Sequence, residues 1–424
     1  MNSAHHLTAG DDPPAQPVGS CPMALSHTRV GLDLTDEVRL LRDSGQLARV
    51  TTAFGQEATM ISRYDEVRAQ LADTTGFHVG TVPPPPVLVD GGFDAESVRR
   101  RRTVGNLIML DPPDHTRLRR MVASWFTSRR VERMRPRVVE IINAALDAME
   151  QAGPPVDLVS MFAKPVPVTV ICELIGVPEA DRERFRERAS RAVERSGPST
   201  PLDELRRLGE AGWVSHELIA HHREHPSDDV IGMLLREHGA DVKENGITDD
   251  ELVGLANALL IAGHETTTQM LSLGTLALLH HPDQLALVRD DPAAVPGAVE
   301  ELLRYIGVLH GGFVRIATRD TALGGHEIRA GDLVVPALAA ANRDPRLIED
   351  GDRLDITRPP VSHLAFGHGV HFCIGAPLAR MELREAFPAL FNRFPGLRLA
   401  VPESELDFAD GTTVHALRSL PVTW

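Results

Sequence analysis

Ten residues constrain this chain more than any others. Phe366 to Gly375 read Phe-Gly-His-Gly-Val-His-Phe-Cys-Ile-Gly, followed by the helix-like run Pro377-Leu378-Ala379-Arg380-Met381-Glu382-Leu383. Cys373 therefore lies at a predicted helix N-terminus, among loop amides. The helix dipole and those N–H donors favour a thiolate. A buried thiolate in a chain without a disulfide framework serves as a nucleophile or a metal ligand. Gly367, Gly369 and Gly375 favour the ligand, because they let something large and flat approach the backbone.

Composition narrows the classes. The chain has 424 residues and a net charge of −15, which argues against nucleic acid as a partner. Cys21, Cys172 and Cys373 are scattered, with no zinc spacing, as suits a reducing cytoplasm. No apolar run reaches the length of a membrane span, and no signal segment opens the chain. The expectation is a soluble, cytoplasmic protein.

Residues 1–25 show little periodicity and are expected to be a disordered tail, with a single domain over 26–424. A short helix is predicted from Thr35 to Asp43, stopped by Gly45. A hairpin is predicted over 47–63, and helices dominate from about 64 to 306. Short strands are expected at Thr321–Leu323, Leu333–Val335 and Val414–Val422. The proline run Pro83–Pro86 stiffens an irregular stretch over 80–92. The fold class is mainly α, with a small β-rich region.

A second motif lies in a long predicted helix. Thr248-Asp249-Asp250-Glu251 is a capping-box start, and Pro282 follows the end. Within it, Ala262-Gly263-His264-Glu265-Thr266-Thr267 is poor helix chemistry, so a local opening is expected. Ala262 and Gly263 leave room for a small ligand. Glu265 and Thr266 supply an acid and a hydroxyl for proton delivery.

The Phe366–Gly375 loop closely resembles the haem-binding loop of the cytochrome P450 family, Phe-Gly-x-Gly-x-His/Arg-x-Cys-x-Gly. Every defining position is filled. The resemblance covers roughly residue 30 to the C-terminus and implies that family's fold, with haem held between two helices. It makes Cys373 the axial thiolate ligand of haem b iron, Phe366 a shield for the sulfur and His371 a propionate contact. That thiolate pushes electron density onto iron and favours O–O cleavage. The helix motif resembles the family's Ala/Gly-Gly-x-Asp/Glu-Thr. It implies that Thr266 hydrogen-bonds the oxygen being activated and that Glu265 relays protons.

Two further matches support the cradle. Asp111 to Arg120 resembles the family's propionate helix, giving His115 and Arg119 as contacts, with Arg315 from Phe313-Val314-Arg315 in the same role. Glu301-Leu302-Leu303-Arg304 matches the Glu-x-x-Arg helix, whose buried pair is joined by a later arginine, here Arg358. Gly351 and Leu354 stand where proline and phenylalanine are usual.

The resemblance implies a monooxygenase of the soluble bacterial branch. The chain has no flavin or nucleotide fingerprint, so electrons come from outside. Arg117, Arg119, Arg120, Arg129, Arg130 and Arg133 form a basic cluster in an acidic chain, expected to dock an acidic ferredoxin served by a flavin reductase. Segments 80–108, Pro178 to about 220, Leu255–Thr266, Leu309–Phe313 and Thr412–His415 are expected to face the substrate. Gly311-Gly312 is read as leaving space there, with His310 and His415 as polar candidates. They suit a bulky lipophilic molecule, and the sequence style resembles enzymes that hydroxylate or epoxidise macrolide and other polyketide products. Three other readings stay open: oxidative coupling on the same fold, a non-catalytic haem-bearing binding module, and a non-haem thiol enzyme.

Overall fold

The computed structural model describes residues 23–24, 29, 31–52, 56–84, 94–182, 214–241, 243–409 and 414–424. Residues 1–22 and 25 of the expected tail, the proline run from Pro85 onward, 183–213 and Thr412 lie outside the described residues, while Met23 and Ala24, expected within the disordered tail, instead form a strand.

The strands are β1 (Met23–Ala24), β2 (Ala48–Thr51), β3 (Glu57–Ile61), β4 (Phe77–His78), β5 (Val156–Asp157), β6 (Arg315–Ala317), β7 (Thr321–Leu323), β8 (His326–Ile328), β9 (Leu333–Pro336), β10 (Arg398–Leu399) and β11 (Pro421–Thr423). β2 and β3 form the predicted hairpin, with Val50 opposite Ala58. They do not stand alone. β3 pairs parallel with β9, and the sheet runs β1-β2-β3-β9-β6-β4. Two short strands bury too little apolar surface to be stable by themselves, so the distant partners are a physical need.

The expected strand over Val414–Val422 is a correction. Only β11 at its end is regular. Upstream, the backbone donors go elsewhere: His415 N–H to the Val308 carbonyl, Leu417 N–H to Gln269 Oε1 and Leu420 N–H to Asp157 Oδ1. A segment whose amides are divided among three elements cannot form one ladder.

The helices are α1 (Asp36–Ser44), α2 (Tyr64–Ala72), α3 (Ala95–Thr103), α4 (Asp114–Val122), α5 (Ser128–Ala152), α6 (Pro165–Ile175), α7 (His216–Glu224), α8 (Val230–His238), α9 (Asp249–Leu279), α10 (Pro282–Asp290), α11 (Val295–Ile306), α12 (Leu338–Ala341) and α13 (Ala376–Arg393). α1 begins where the Thr35 hydroxyl accepts the Val38 N–H, and stops at Gly45 in the left-handed region.

α9 is the central element. Thr248 and Glu251 make the predicted capping box, and the helix packs against α6, α11 and α13. Thr267 to Leu278 is buried on every side, as expected of a helix at the centre of a core. None of the described helices is long and apolar enough to cross a membrane.

Candidate functional site

Cys373 follows a tight loop. Gly367 and Gly369 have φ of 70° and 72°, which side chains with a Cβ rarely adopt. At Gly369 a Cβ would also meet the Leu71 carbonyl at 2.6 Å. That glycine lets α2 approach, and only Gly375 has its open side near the sulfur, at 3.9 Å. The Cys373 N–H donates to the Phe366 carbonyl at 2.8 Å, closing the loop.

Cys373 is half-buried and precedes α13. Burial pushes its thiol pKa up. The Gly375 and Ala376 amides and the charges of Arg119 and Arg380 oppose that shift without overcoming it. The loop amides at Gly375 and Ala376 thus favour the thiolate, as expected, but against burial. A positive partner at the sulfur, such as a metal ion, would favour the thiolate further.

Beside the sulfur lies a cluster of basic side chains. The His115 and His371 rings are 4.3 Å apart. Arg119 donates to the Phe372 carbonyl at 2.5 Å, and buried Arg315 donates to Gln70 and Leu71 carbonyls at 3.3 and 3.4 Å. Burial, then His115, Arg315 and Arg119, pull the His371 pKa down to about 3. Burial and Arg119 pull His115 down to about 4.

Both His115 nitrogens and Arg315 Nε are buried without a hydrogen-bond partner among the described residues. Asp111, the acid whose charge acts on His115 and Arg315, is committed to the Val79 and Gly80 amides at 3.0 and 2.9 Å. Buried donors without acceptors are costly, so this cluster is built for an anion from outside the chain. Two carboxylates on a flat group that also offers a metal to Cys373 fit the donor set. Haem is such a group.

The α9 motif is placed differently from its expectation. The helix runs unbroken through Ala262–Thr267. Thr266 Oγ1 donates back to the Ala262 carbonyl at 2.9 Å, which keeps the hydroxyl satisfied without opening the helix. Gly263 does not leave room for a ligand: a Cβ there would meet Ile171 at 2.8 Å, so it serves the contact with α6. Ala262 and Ile261, by contrast, are open in mid-helix, Ile261 to 47%. Phe313 and Phe372 are likewise open, to 44% and 41%. Exposed apolar side chains of this size are the kind that an apolar ligand covers.

Glu265 is largely buried. Its pKa is raised by burial, opposed by a hydrogen bond from Gln269 Nε2 at 3.1 Å and by the charge of Lys164. The substrate-side expectations need two corrections. His415 is a core residue: Nε2 meets the Gly31 carbonyl at 2.8 Å, and its ring stacks on Phe408. Gly311 and Gly312 leave no space, since a Cβ at either would press on Pro336 at 3.2 and 2.8 Å. His310 packs 5.1 Å from the His415 ring.

Sequence reasoning missed Arg380. It lies 4.5 Å over the Phe366 ring and binds Glu300 at 2.7 and 2.8 Å. It belonged to the quoted run after Cys373, but nothing local signals a partner eighty residues away.

The comparisons agree with this geometry. The family described as Cytochrome P450 matches residues 214–409. The Vitamin D3 dihydroxylase of Streptomyces griseolus is 43% identical, over 97% of this chain and 97% of its own length. The chain belongs to the cytochrome P450 family. The Mycinamicin IV hydroxylase/epoxidase of Micromonospora griseorubida is 39% identical over 93% of this chain and 96% of its own. The solved structure of CYP105P1 in complex with filipin I matches with a TM-score of 0.83 and 39% identity, covering 95% of this chain and 99% of that one. As a P450 the chain is a monooxygenase carrying haem with cysteine thiolate ligation, and it uses O2, redox partners and a hydrophobic substrate.

Proposed function

We propose that this P450 inserts one oxygen atom from O2 into a bulky lipophilic small molecule, by hydroxylation or epoxidation, and that the molecule is a macrolide or related polyketide-type secondary metabolite. The observation that carries the reading is the exposure of the apolar side chains Ile261 and Ala262 in mid-α9, with Phe313 exposed as well, in a chain similar to a mycinamicin hydroxylase/epoxidase.

Cys373 would ligate the iron of haem b, with Phe366 as the shield of the sulfur; Arg380 sits over the Phe366 ring. His115, Arg119, Arg315 and His371 hold the two propionates. Haem bound this way supplies the metal at which O2 is activated. Ala262, exposed in mid-helix, would leave room beside the haem, and Gly263 lets α9 pack closely on Ile171. Thr266 holds its hydroxyl proton towards the Ala262 carbonyl and can turn it towards oxygen. Glu265, with its raised proton affinity, takes a proton from solvent and passes it inward.

Electrons come from an acidic ferredoxin and its flavin reductase in the cytoplasm. Of the six arginines, three are committed internally: Arg117 to Glu251, Arg119 to Phe372 and Arg130 to Asp228. Arg120, Arg129 and Arg133 are exposed and make no ion pair among the described residues. They form the docking charge. A groove of about 800 Å³ lined by Thr116, Arg120, Met121 and His238 adjoins them.

The test is titration of the ferric Soret band with macrolactones, steroids and terpenoids. A spin shift with macrolactones, followed by ¹⁸O from O2 in the product, is the expected result. A shift with steroids or terpenoids alone would overturn the substrate class, and product without ¹⁸O would turn the reading towards oxidative coupling.

A further inference from the structure

Gln269 stands one helical turn after Glu265, and its amide is buried. Gln269 Oε1 accepts the Leu417 N–H at 2.9 Å, and Nε2 donates to Glu265 Oε1 at 3.1 Å. The orientation is dictated by chemistry. Turned over, the amide would set N–H against N–H at Leu417 and oxygen against oxygen at Glu265.

Leu417 is itself fixed. It bridges Phe408, while Ala416 accepts from Ala409 at 2.8 Å and His415 donates to Val308 at 2.6 Å. The donor that reaches Glu265 is therefore held by the main chain of the C-terminal segment, not by a free side chain. The second carboxylate oxygen, Oε2, lies 3.9 Å from His264 Nε2, whose ring is anchored through Nδ1 to the Leu260 carbonyl at 2.8 Å. The groups that face the carboxyl are thus Gln269 and His264 from α9 and Lys164 from the start of α6.

We propose that Gln269 is a positioning residue for proton delivery: it pins Oε1 of Glu265 to the C-terminal segment and leaves Oε2 as the oxygen that exchanges the proton. The inference rests on the reading of Glu265 as a proton relay. It also assigns the C-terminal segment a part in the reaction, since 414–417 joins the Val308–Leu309 loop to the acid on α9.

Two variants separate this role from packing. Gln269→Leu removes both bonds. Gln269→Glu keeps an acceptor for Leu417 but replaces the donor to Glu265 with a second carboxyl. The readouts are the infrared titration of the Glu265 carboxyl in the ferric protein, assigned by difference against Glu265→Gln, and peroxide released per electron pair delivered by a [2Fe–2S] ferredoxin and flavin reductase across pH.

Both variants are expected to move the carboxyl midpoint up by about one pH unit, because a hydrogen bond to the charged form is lost. The pH limb of peroxide release moves by the same interval. A shift in Gln269→Leu but not in Gln269→Glu would mean that only Leu417 packing matters, and would overturn the proposal. An unchanged band and limb in both, with Glu265→Gln altered, would overturn it as well. If Glu265→Gln itself leaves peroxide release unchanged, the relay reading fails, whatever the Gln269 variants show in the infrared.

Discussion

Two buried charge clusters flank the core, and they are built on opposite principles. Around Glu301 the acid and its main arginine satisfy each other. Arg304 meets both Glu301 oxygens at 2.7 and 2.8 Å, and its remaining N–H groups reach the Asn342, Gly351 and Arg353 carbonyls. Glu301 also accepts the Asp355 N–H at 3.0 Å, and Arg358 Nε lies 3.5 Å away. The cluster of His115, Arg119, Arg315 and His371 has four potential cations and no free acid, with three buried nitrogens unpaired among the described residues. A closed network holds a fold; an open one is completed by a ligand.

The largest test of that contrast breaks the closed cluster. Arg304→Leu leaves Glu301 buried without its main partner, which should cost about 3–5 kcal/mol in urea unfolding and lower the yield of folded protein. Only a small loss would mean that the network is not closed around Arg304. The open cluster should respond in the reverse sense. Arg119→Ala or Arg315→Ala should leave the haem-free protein as stable as before, or more so, and weaken haem retention about 10-fold or more, measured by haem transfer to an acceptor protein.

A smaller effect sharpens the comparison at its edge. Glu300, beside the closed network, is partly buried, which opposes ionisation, but hydrogen bonds from His363 and Arg380 hold its pKa at about 2. Its folded value lies below the unfolded carboxyl value of about 4.3. Its contribution is therefore complete above that pH and is lost as pH falls towards 2. Glu300→Gln should cost on the order of 1 kcal/mol at neutral pH, with the difference from wild type vanishing in acid.

Local signals in the sequence were reliable where a residue's neighbours decide its conformation. Thr35, Gly45 and the Thr248 capping box lie where they were expected. So do Glu301 and Arg304, one turn apart. What was not legible depends on distant partners. Gly263, Gly311 and Gly312 read as space for a ligand, but each is small because Ile171 or Pro336 presses on it. Gly351, where proline is usual, is explained in the same way: a Cβ there would meet the Arg343 carbonyl at 2.6 Å. His415 read as a substrate contact, yet its acceptor is Gly31 at the other end of the chain. The open cationic cluster was named residue by residue through resemblance. That it is open, and so meant for an anion, follows only from counting hydrogen bonds in three dimensions.

The central claim is that this cluster exists to bind two carboxylates beside Cys373. The most direct measurement compares the affinity of the haem-free protein for haem and for haem dimethyl ester, in wild type and in Arg119→Ala/Arg315→Ala. We predict that wild type prefers haem by at least about 100-fold, as two charge-assisted pairs require, and that the double variant loses most of that preference. Equal affinity of wild type for haem and its ester would contradict the account.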